Sequence, residues 1–277
     1  YAQDPLGVDL AQTIYALDST TIDLCLSLFP WARFRSTKAA VKLHTLLDVR
    51  GPIPTMIAIS DGKQADVRVL DELIPEAGAF NVMDRGYLDF ERLYRFVLAG
   101  AFFVTRTKAG VQLNRLESRP VERTTGIRSD HIVWLRNAQS AARYPDRLRR
   151  VTYRDPEDGK VLVFLTNNFG LSALIIAQLY KLRWRVELFF KWIKQNLRIK
   201  HFFGTSDNAV KTQVWIAICV YVLAAIVRKE LRLDLTLSQI LQVLSVNAFE
   251  HVPLVQLLAQ AQSQAETSHS SNQLMLW

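Results

Sequence analysis

The spacing of apolar residues over the first 106 positions constrains the fold of this chain more than any other feature. The segment "AAVKLHTLLDV" (residues 39–49) places apolar side chains on alternate positions, which is the period of a half-buried strand. "TIYALDSTTIDL" (13–24) and "TMIAIS" (55–60) also predict strands, and the turn "RGPIP" separates the second strand from the third. The second and third strands are therefore expected to form a hairpin.

Helical and strand-like segments then alternate along the chain. "DVRVLDELI" (66–74) predicts a helix, and "AFNVMDRGY" (79–87) predicts a short strand that ends in a charged turn. Residues 88–98 predict a second helix, and "AFFVTRT" (101–107) predicts another strand. An order of three strands, helix, strand, helix, strand is typical of an α/β fold with a mixed sheet.

The remainder predicts an inserted module and a helical end. Between residues 104 and 165 there are 13 Lys/Arg against 7 Asp/Glu, in short strand-like runs. We therefore expect a discontinuous core (1–106 and 161–260), interrupted by a β-rich, Arg-rich insertion (107–160) that could contact DNA or a partner. Helices are predicted over 171–200, as one long or two short helices, and over 208–231 and near 237–258. The polar tail (261–277) is expected to be mobile, with "LMLW" able to dock on the body.

Charge and cysteine content indicate what kind of partner the chain binds and in which compartment it works. The net charge of +8 and the pI of about 9.6 favour a polyanionic partner. Cys25 and Cys219 give neither a disulfide framework nor metal-ligand spacing, which favours a reducing, cytoplasmic setting. The longest apolar run, Val214–Val227, has 14 residues, and a membrane span needs roughly 20. This run predicts a buried core helix, and no membrane partner is expected.

The segment "YKLRWRVELFFKWIKQNLRIK" (180–200) holds seven basic residues and a single acid, Glu187. On one helix, a polar face spanning roughly 80° would contain Tyr180, Arg183, Glu187, Lys191 and Lys194. The adjacent apolar stripe would contain Leu182, Val186, Phe189, Phe190, Ile193 and Leu197. Glu187 could form ordinary i,i+4 pairs with its basic neighbours on a solvated face. Alternatively, the cations could bring this carboxylate to a negatively charged substrate.

Two further isolated acids, Asp18 and Asp84, lie in predicted strands. Aspartate is depleted in strands, and a buried unpaired carboxylate is costly, although a strand-end position is the ordinary alternative. With Glu187 they make three acids on three elements, a set that can coordinate Mg²⁺ or Mn²⁺. Two such ions roughly 3.5–4 Å apart assist phosphoryl transfer, and basic neighbours suit a DNA backbone. Lys42 and His44, on the polar side of the second strand, could lie near the metals or on a solvated face.

These residues resemble a known family. Tyr180, Arg183, Glu187 and Lys194 match Y-x2-R-x3-E-x6-K, a signature of DDE transposases of the bacterial insertion-sequence group typified by insertion sequence four. "YALDST" and "VMDRGY" resemble the contexts of that family's first and second catalytic aspartates. The resemblance extends from about Ile14 to Leu258.

The resemblance implies an RNase H-like fold with a β-rich insertion between the second aspartate and the glutamate. It also implies cut-and-paste transposition: metal-activated water cleaves DNA at the element ends, and the freed 3′-OH attacks target DNA. The implied catalytic and metal-binding residues are Asp18, Asp84 and Glu187. Residues expected to contact DNA are Tyr180, Arg183, Trp184, Lys191 and Lys194. Trp184 resembles an aromatic residue that stacks near a flipped base in a relative, although a half-buried helix aromatic is the ordinary alternative.

The implied cofactor is Mg²⁺ or Mn²⁺, with two ions, and the implied partners are DNA of the element ends and the target and a second copy in the active complex. The implied location is the bacterial cytoplasm, at the nucleoid. The chain departs from the family in having only 17 residues before Asp18. Family members usually carry an N-terminal region there that recognises element ends, so we expect that region to be absent. A catalytically inactive DNA-binding remnant and an unrelated structure-modifying nuclease remain alternatives.

Overall fold

The structure is a computed structural model of the chain, and it describes residues 10–196, 202–247 and 249–273, with residues 196 and 264–273 by their backbone alone. The chain divides into two compact units, with the boundary between Lys191 and Trp192. The first unit contains a large mixed sheet with helices, which confirms the predicted α/β class. The predicted boundaries of the core and the insertion (107–160) stay a prediction.

Regular elements follow the apolar spacing closely. The strands in the described residues are β1 (Ile14–Leu24), β2 (Arg33–Arg35), β3 (Lys38–Asp48), β4 (Ile53–Asp61), β5 (Phe80–Met83), β6 (Phe102–Arg106), β7 (Leu113–Arg119), β8 (Ile127–Leu135), β9 (Leu148–Arg154) and β10 (Val161–Thr166). The α-helices there are α1 (Phe90–Leu98), α2 (Ala138–Arg143), α3 (Ala173–Lys181), α4 (Trp184–Asn196), α5 (Asp207–Glu230), α6 (Leu237–Val246) and α7 (Leu254–Gln273).

All these strands join one sheet with β1 near one end. β1 pairs antiparallel with β3 and parallel with β5, and β3 and β4 form the predicted hairpin. β6 lies parallel to β5 and antiparallel to β10, and β9, β8 and β7 continue the sheet beyond β10. The strands within the predicted insertion (107–160) therefore extend the sheet.

The register separates two faces of this sheet. Leu17 pairs with Met83, and both belong to a core cluster that also contains residues of α1. Asp18 is the next residue after Leu17, so its side chain points to the opposite face. On that face the ring of Tyr180, from α3, packs on Phe164 with 4.8 Å between the ring centroids. The two faces are thus covered by different helices.

Two predicted helices differ in form. The predicted helix over 66–74 is a 3-10 helix, Asp66–Asp71, and Pro75 shortly afterwards disfavours helical backbone at the residue before it. Residues 171–200 contain two helices, α3 and α4. Between them, Arg183 N–H donates to the Tyr180 carbonyl and Arg185 N–H to the Leu182 carbonyl, at 3.1 and 3.0 Å. These i→i−3 bonds tighten the backbone and separate α3 from α4.

The second unit is helical in its described residues. A core cluster of Ala224, Leu233, Leu235, Ile240 and Leu258 joins α5, α6 and α7. By length and composition α5 could cross a membrane, a test that the core helix of a soluble protein also passes, and several of its apolar residues are buried. α7 continues to Gln273, into the tail that the sequence predicted to be mobile, while "LMLW" lies outside the described residues.

Candidate active site

Two of the predicted acids meet on adjacent parallel strands. Leu17 and Met83 are register partners on β1 and β5, so the next residues, Asp18 and Asp84, lie side by side on the same face. Asp84 directly follows β5 with an extended backbone, and its carbonyl accepts a hydrogen bond from the Thr105 hydroxyl at 3.2 Å. The sheet therefore brings together two carboxylates that are 66 positions apart in the sequence.

Tyr180, near the end of α3, holds Asp84. Its hydroxyl donates to Asp84 Oδ1 at 3.1 Å, and its ring is buried against Phe164. Burial raises the pKa of Tyr180 to about 12, and the neighbouring Asp84 acts in the same direction. Tyr180 is therefore a protonated hydrogen-bond donor at neutral pH, and it fixes the orientation of the Asp84 carboxylate.

Arg183 lies between the other two acids. Its Nη1 is 2.7 Å from Asp18 Oδ2, and its Nη2 is 2.6 Å from Glu187 Oε1. The three side chains are partly buried, with 16% of Arg183, 20% of Asp18 and 34% of Glu187 exposed. The Arg183–Glu187 contact is one of the i,i+4 pairs that the sequence allowed. The contact of Arg183 with Asp18 joins the start of α4 to β1.

The electrostatics of this cluster favour a cation. Burial, with smaller contributions from the carboxylates of Glu187 and Asp84, raises the pKa of Asp18 to about 6, even though the Ser19 N–H and Arg183 lower it. Each of these acids is easier to ionise when a positive charge neutralises the others. One guanidinium contacts two of the three carboxylates, so the site as a whole carries an excess of negative charge.

The three acids have the oxygen chemistry of a divalent-ion site, but the guanidinium of Arg183 lies among them. Among the described residues, no three His, Cys, Asp or Glu side chains form a group that could hold a metal ion as they stand. Arg183 lies between the oxygens of Asp18 and Glu187. Carboxylate oxygens are the ligands that Mg²⁺ and Mn²⁺ prefer. The chemistry of the three acids therefore suits such an ion in the position that Arg183 now holds.

The remaining predicted site residues lie along α4. Trp184 is the first residue of α4 and is 57% exposed, so the half-buried alternative understates its accessibility. Lys191 is exposed at the end of the first unit, and Lys194 belongs to the second unit. The apolar stripe of α4 is buried at Val186, Phe189, Phe190 and Ile193.

A buried ion pair that was not expected from the sequence joins β8 and β9. Arg149 Nη2 is 2.7 Å from Asp130 Oδ2, and Arg149 Nη1 also donates to the carbonyls of Asn168 and Leu171. Those carbonyls lie just before α3, so β8 and β9 anchor the start of the helix that carries Tyr180. Asp130 lies inside a strand, and the criterion that singled out Asp18 would have found it.

A second polar network supports the opposite face of β1. The Ser19 hydroxyl donates to Asp66 Oδ1 at 2.9 Å, and Lys42 Nζ lies 3.0 Å from the same oxygen. His44, expected to be solvated or near the metals, is buried and its Nε2 lies 2.8 Å from Ser60 Oγ. Burial lowers the pKa of His44. Since His44 is the register partner of Ser19, it lies on the face away from Asp18.

Comparison with known families matches residues 9–223 to the family described as "Transposase DDE domain". The chain is 34% identical over 214 residues to a protein of Sinorhizobium fredii named as transposase y4zB, covering 76% of this chain and 59% of that protein. It is 35% identical over 209 residues to a Geobacillus stearothermophilus protein named as a transposase for insertion sequence element IS5377, covering 75% and 54%. A Synechocystis protein named for element IS4SA is 27% identical over 217 residues, covering 76% and 59%.

The chain thus spans a little over half the length of the curated relatives it matches. Among solved structures, it is similar to the piggyBac transposase synaptic complex with hairpin DNA, with a TM-score of 0.48 and 8% identity, covering 94% of this chain and 54% of that one. Because that likeness is small, the family assignment depends on the sequence matches.

Proposed function

The chain belongs to the family of DDE-domain transposases, and we propose that it cleaves DNA at the ends of an insertion sequence and transfers the freed strands to target DNA. The convergence of Asp18, Asp84 and Glu187 on one face of the sheet carries this proposal. Two of these acids come from parallel strands, and the third comes from a helix that Arg183 ties to β1. Such a carboxylate set supports metal-dependent phosphoryl transfer.

Members of this family use divalent metal ions, and we propose Mg²⁺ or Mn²⁺ here, as two ions held by Asp18, Asp84 and Glu187. The ions would supply activation of the attacking oxygen and charge stabilisation at the leaving oxygen. The protein's own residues orient the ligands: Tyr180 holds Asp84 by its hydroxyl, and the Ser19 N–H holds Asp18 at 2.8 Å. Because the pKa of Asp18 is raised to about 6, its carboxylate is mostly ionised, and therefore able to bind a cation, only above that pH.

We propose that DNA approaches along α4. Trp184 offers an exposed ring at its start for base stacking, and Lys191 offers an exposed cation one turn after Glu187. Lys194 and, once released from its carboxylates, Arg183 would contact the backbone. The positive net charge of the chain supports a polyanionic partner. In the whole protein the partners would be element-end and target DNA and a second copy of the chain, at the bacterial nucleoid.

The test is metal-dependent nicking and strand transfer on duplex DNA from the ends of the element that encodes the chain. Asp18→Asn, Asp84→Asn and Glu187→Gln should each reduce cleavage at least about a thousandfold, because each removes a ligand that acts on the transition state. Binding of the same DNA should change little, since the cations of α4 are retained. Asp23→Asn is the matched control, because Asp23 lies exposed on the same strand as Asp18.

Cleavage that survives in all three variants would remove the carboxylates from the proposed mechanism. DNA binding without cleavage by the unmodified chain, in Mg²⁺ and in Mn²⁺, would instead favour the inactive DNA-binding remnant.

A further inference from the structure

The guanidinium of Arg183 occupies an unusual position for a residue expected to contact DNA. Its two terminal nitrogens contact two different carboxylates, from β1 and α4, at 2.7 and 2.6 Å. Its Nε is buried and has no hydrogen-bond partner. Two ion pairs therefore hold the guanidinium in place, but one of its hydrogen-bond donors has no partner.

The charges around Arg183 explain why it lies there. Asp18 and Asp84 lie side by side on the sheet, and Glu187 contacts the same guanidinium as Asp18, so the three carboxylates repel one another. Among the described residues, Arg183 is the cation that contacts two of these carboxylates. Without a neutralising charge, the carboxylates would have to take up protons or move apart. Arg183 thus performs the electrostatic task that a bound divalent ion would perform.

We propose that Arg183 is a resident counter-ion that competes with the catalytic metal for Asp18 and Glu187. This inference rests on the proposed function, because it presumes that the same carboxylates hold the ion. Since the guanidinium lies between the ligand oxygens, the ion and Arg183 occupy the site in mutually exclusive states. The free protein therefore binds divalent ions weakly, and each ion that enters displaces the arginine.

Displacement gives Arg183 a second partner. A guanidinium released from carboxylates binds phosphate by the same paired N–H groups, so a DNA phosphate beside the site would hold Arg183 away from Asp18 and Glu187. Binding equilibria are reciprocal, so DNA that holds Arg183 tightens the metal and the metal tightens DNA by the same factor. The ion would then bind firmly only when DNA is present, which limits cleavage by the free protein.

The test is a Mn²⁺ titration of the DNA-free protein, with the free ion measured by electron paramagnetic resonance. Arg183→Ala should bind Mn²⁺ about tenfold more tightly than the unmodified chain, because a competing cation and its charge are removed. Arg183→Lys, which keeps a single point charge without the paired N–H groups, should lie between them. This second variant also keeps the test decisive if the alanine variant fails to fold.

Lys181→Ala is the matched control. It removes one positive charge two residues away, but Lys181 pairs with Asp155 and Glu157, so Mn²⁺ affinity should change less than twofold. Adding a short duplex should tighten Mn²⁺ binding in the unmodified chain and much less in Arg183→Ala, with Asp18→Asn giving the background of ions bound by DNA alone.

Different results would overturn the counter-ion proposal and the proposed function. Equal or weaker Mn²⁺ binding by Arg183→Ala, at a site that Asp18→Asn abolishes, would overturn the counter-ion proposal and leave the proposed function intact. Absence of any Mn²⁺ site that depends on Asp18, in the unmodified chain and in both Arg183 variants, would overturn both.

Discussion

Two aspartate–arginine pairs in the first unit, each with its aspartate inside a strand, differ in how they are bonded. Asp130 and Arg149 bond through two contacts of 2.9 and 2.7 Å, and only 4% and 1% of their side chains are exposed. Arg149 also donates to two backbone carbonyls. Arg183, in contrast, is divided between two carboxylates, is 16% exposed and has an unsatisfied Nε.

The difference concerns balance of charge and of hydrogen bonds. In the Asp130–Arg149 pair one positive charge meets one negative charge and nearly every donor is used, so the pair is a fixed part of the fold. At Arg183 one cation meets an excess of acid, so the arrangement is open to exchange with another cation. A saturated pair anchors α3, and an unsaturated one leaves the candidate active site free to bind.

The largest expected effect is on stability, when Arg149 is removed. Arg149→Ala leaves the buried Asp130 unpaired, which should lower the free energy of unfolding by about 3–5 kcal/mol. Arg183→Ala should cost less than about 2 kcal/mol, since Asp18 can take up a proton and water can reach the site. Urea unfolding of both variants at pH 7 measures the comparison, and equal losses would contradict it.

The strands of the sheet could be predicted from the sequence because apolar residues alternate along them. Apart from the β3–β4 hairpin, the neighbours of each strand could not be predicted, since the pairing of β1 with β5 joins residues more than 60 positions apart. The extension of the sheet through β9, β8 and β7 likewise depends on long-range pairing. The break between α3 and α4 was left open, because both sides have helical spacing.

The candidate site shows a similar limit. The spacing of Tyr180, Arg183 and Glu187 suggested a functional face, and these residues do lie together with Asp18 and Asp84. The contact of Arg183 with Asp18 spans 165 positions and has no local pattern. An acid inside a strand was a useful but unspecific signal, because Asp130 satisfies it and pairs structurally with Arg149.

The second prediction is that replacing one of the two aspartates stabilises the protein, whereas replacing the other destabilises it. Asp18 has a folded-state pKa of about 6 against an ordinary 3.8, so the folded protein binds a proton more readily than the unfolded chain. Its contribution to stability is present below about pH 4 and is lost as the pH rises through about 6. Asp18→Asn, which resembles the protonated acid, should therefore stabilise the metal-free protein at pH 7.5 by about 1–3 kcal/mol.

Unfolding in EDTA at pH 7.5 and pH 4 measures this, and the advantage of Asp18→Asn should vanish at the lower pH. Asp130→Asn should destabilise at pH 7.5, because it leaves the buried Arg149 without its counter-ion. If both variants shifted stability in the same direction at pH 7.5, the two aspartates would not differ as proposed.

The third prediction concerns the effect of Mn²⁺ on the melting temperature. A ligand that binds only the folded state adds stability, about 1.4 kcal/mol at a concentration ten times its dissociation constant. Mn²⁺ should therefore raise the melting temperature of the unmodified chain and, at the same concentration, raise that of Arg183→Ala more. Asp18→Asn should show no such increase, whereas Asp130→Asn should keep it in full. A Mn²⁺ effect that persists in Asp18→Asn would place the ion elsewhere.

The smallest effect is expected at a third pair, which lies at the surface. Lys181 Nζ is 3.3 Å from Asp155 Oδ2 and 3.4 Å from Glu157 Oε1, and both Lys181 and Glu157 are exposed. Like Arg183, this cation contacts two carboxylates, but water and salt screen it, so Lys181→Ala should change the free energy of unfolding by about 0–1 kcal/mol. Urea unfolding at low and high salt measures it. Lys181 and Arg183 share the ratio of one cation to two acids and differ in burial. If Lys181→Ala lowered the free energy of unfolding as much as Arg183→Ala, the number of carboxylate partners, and not burial, would set the energy of such an ion pair.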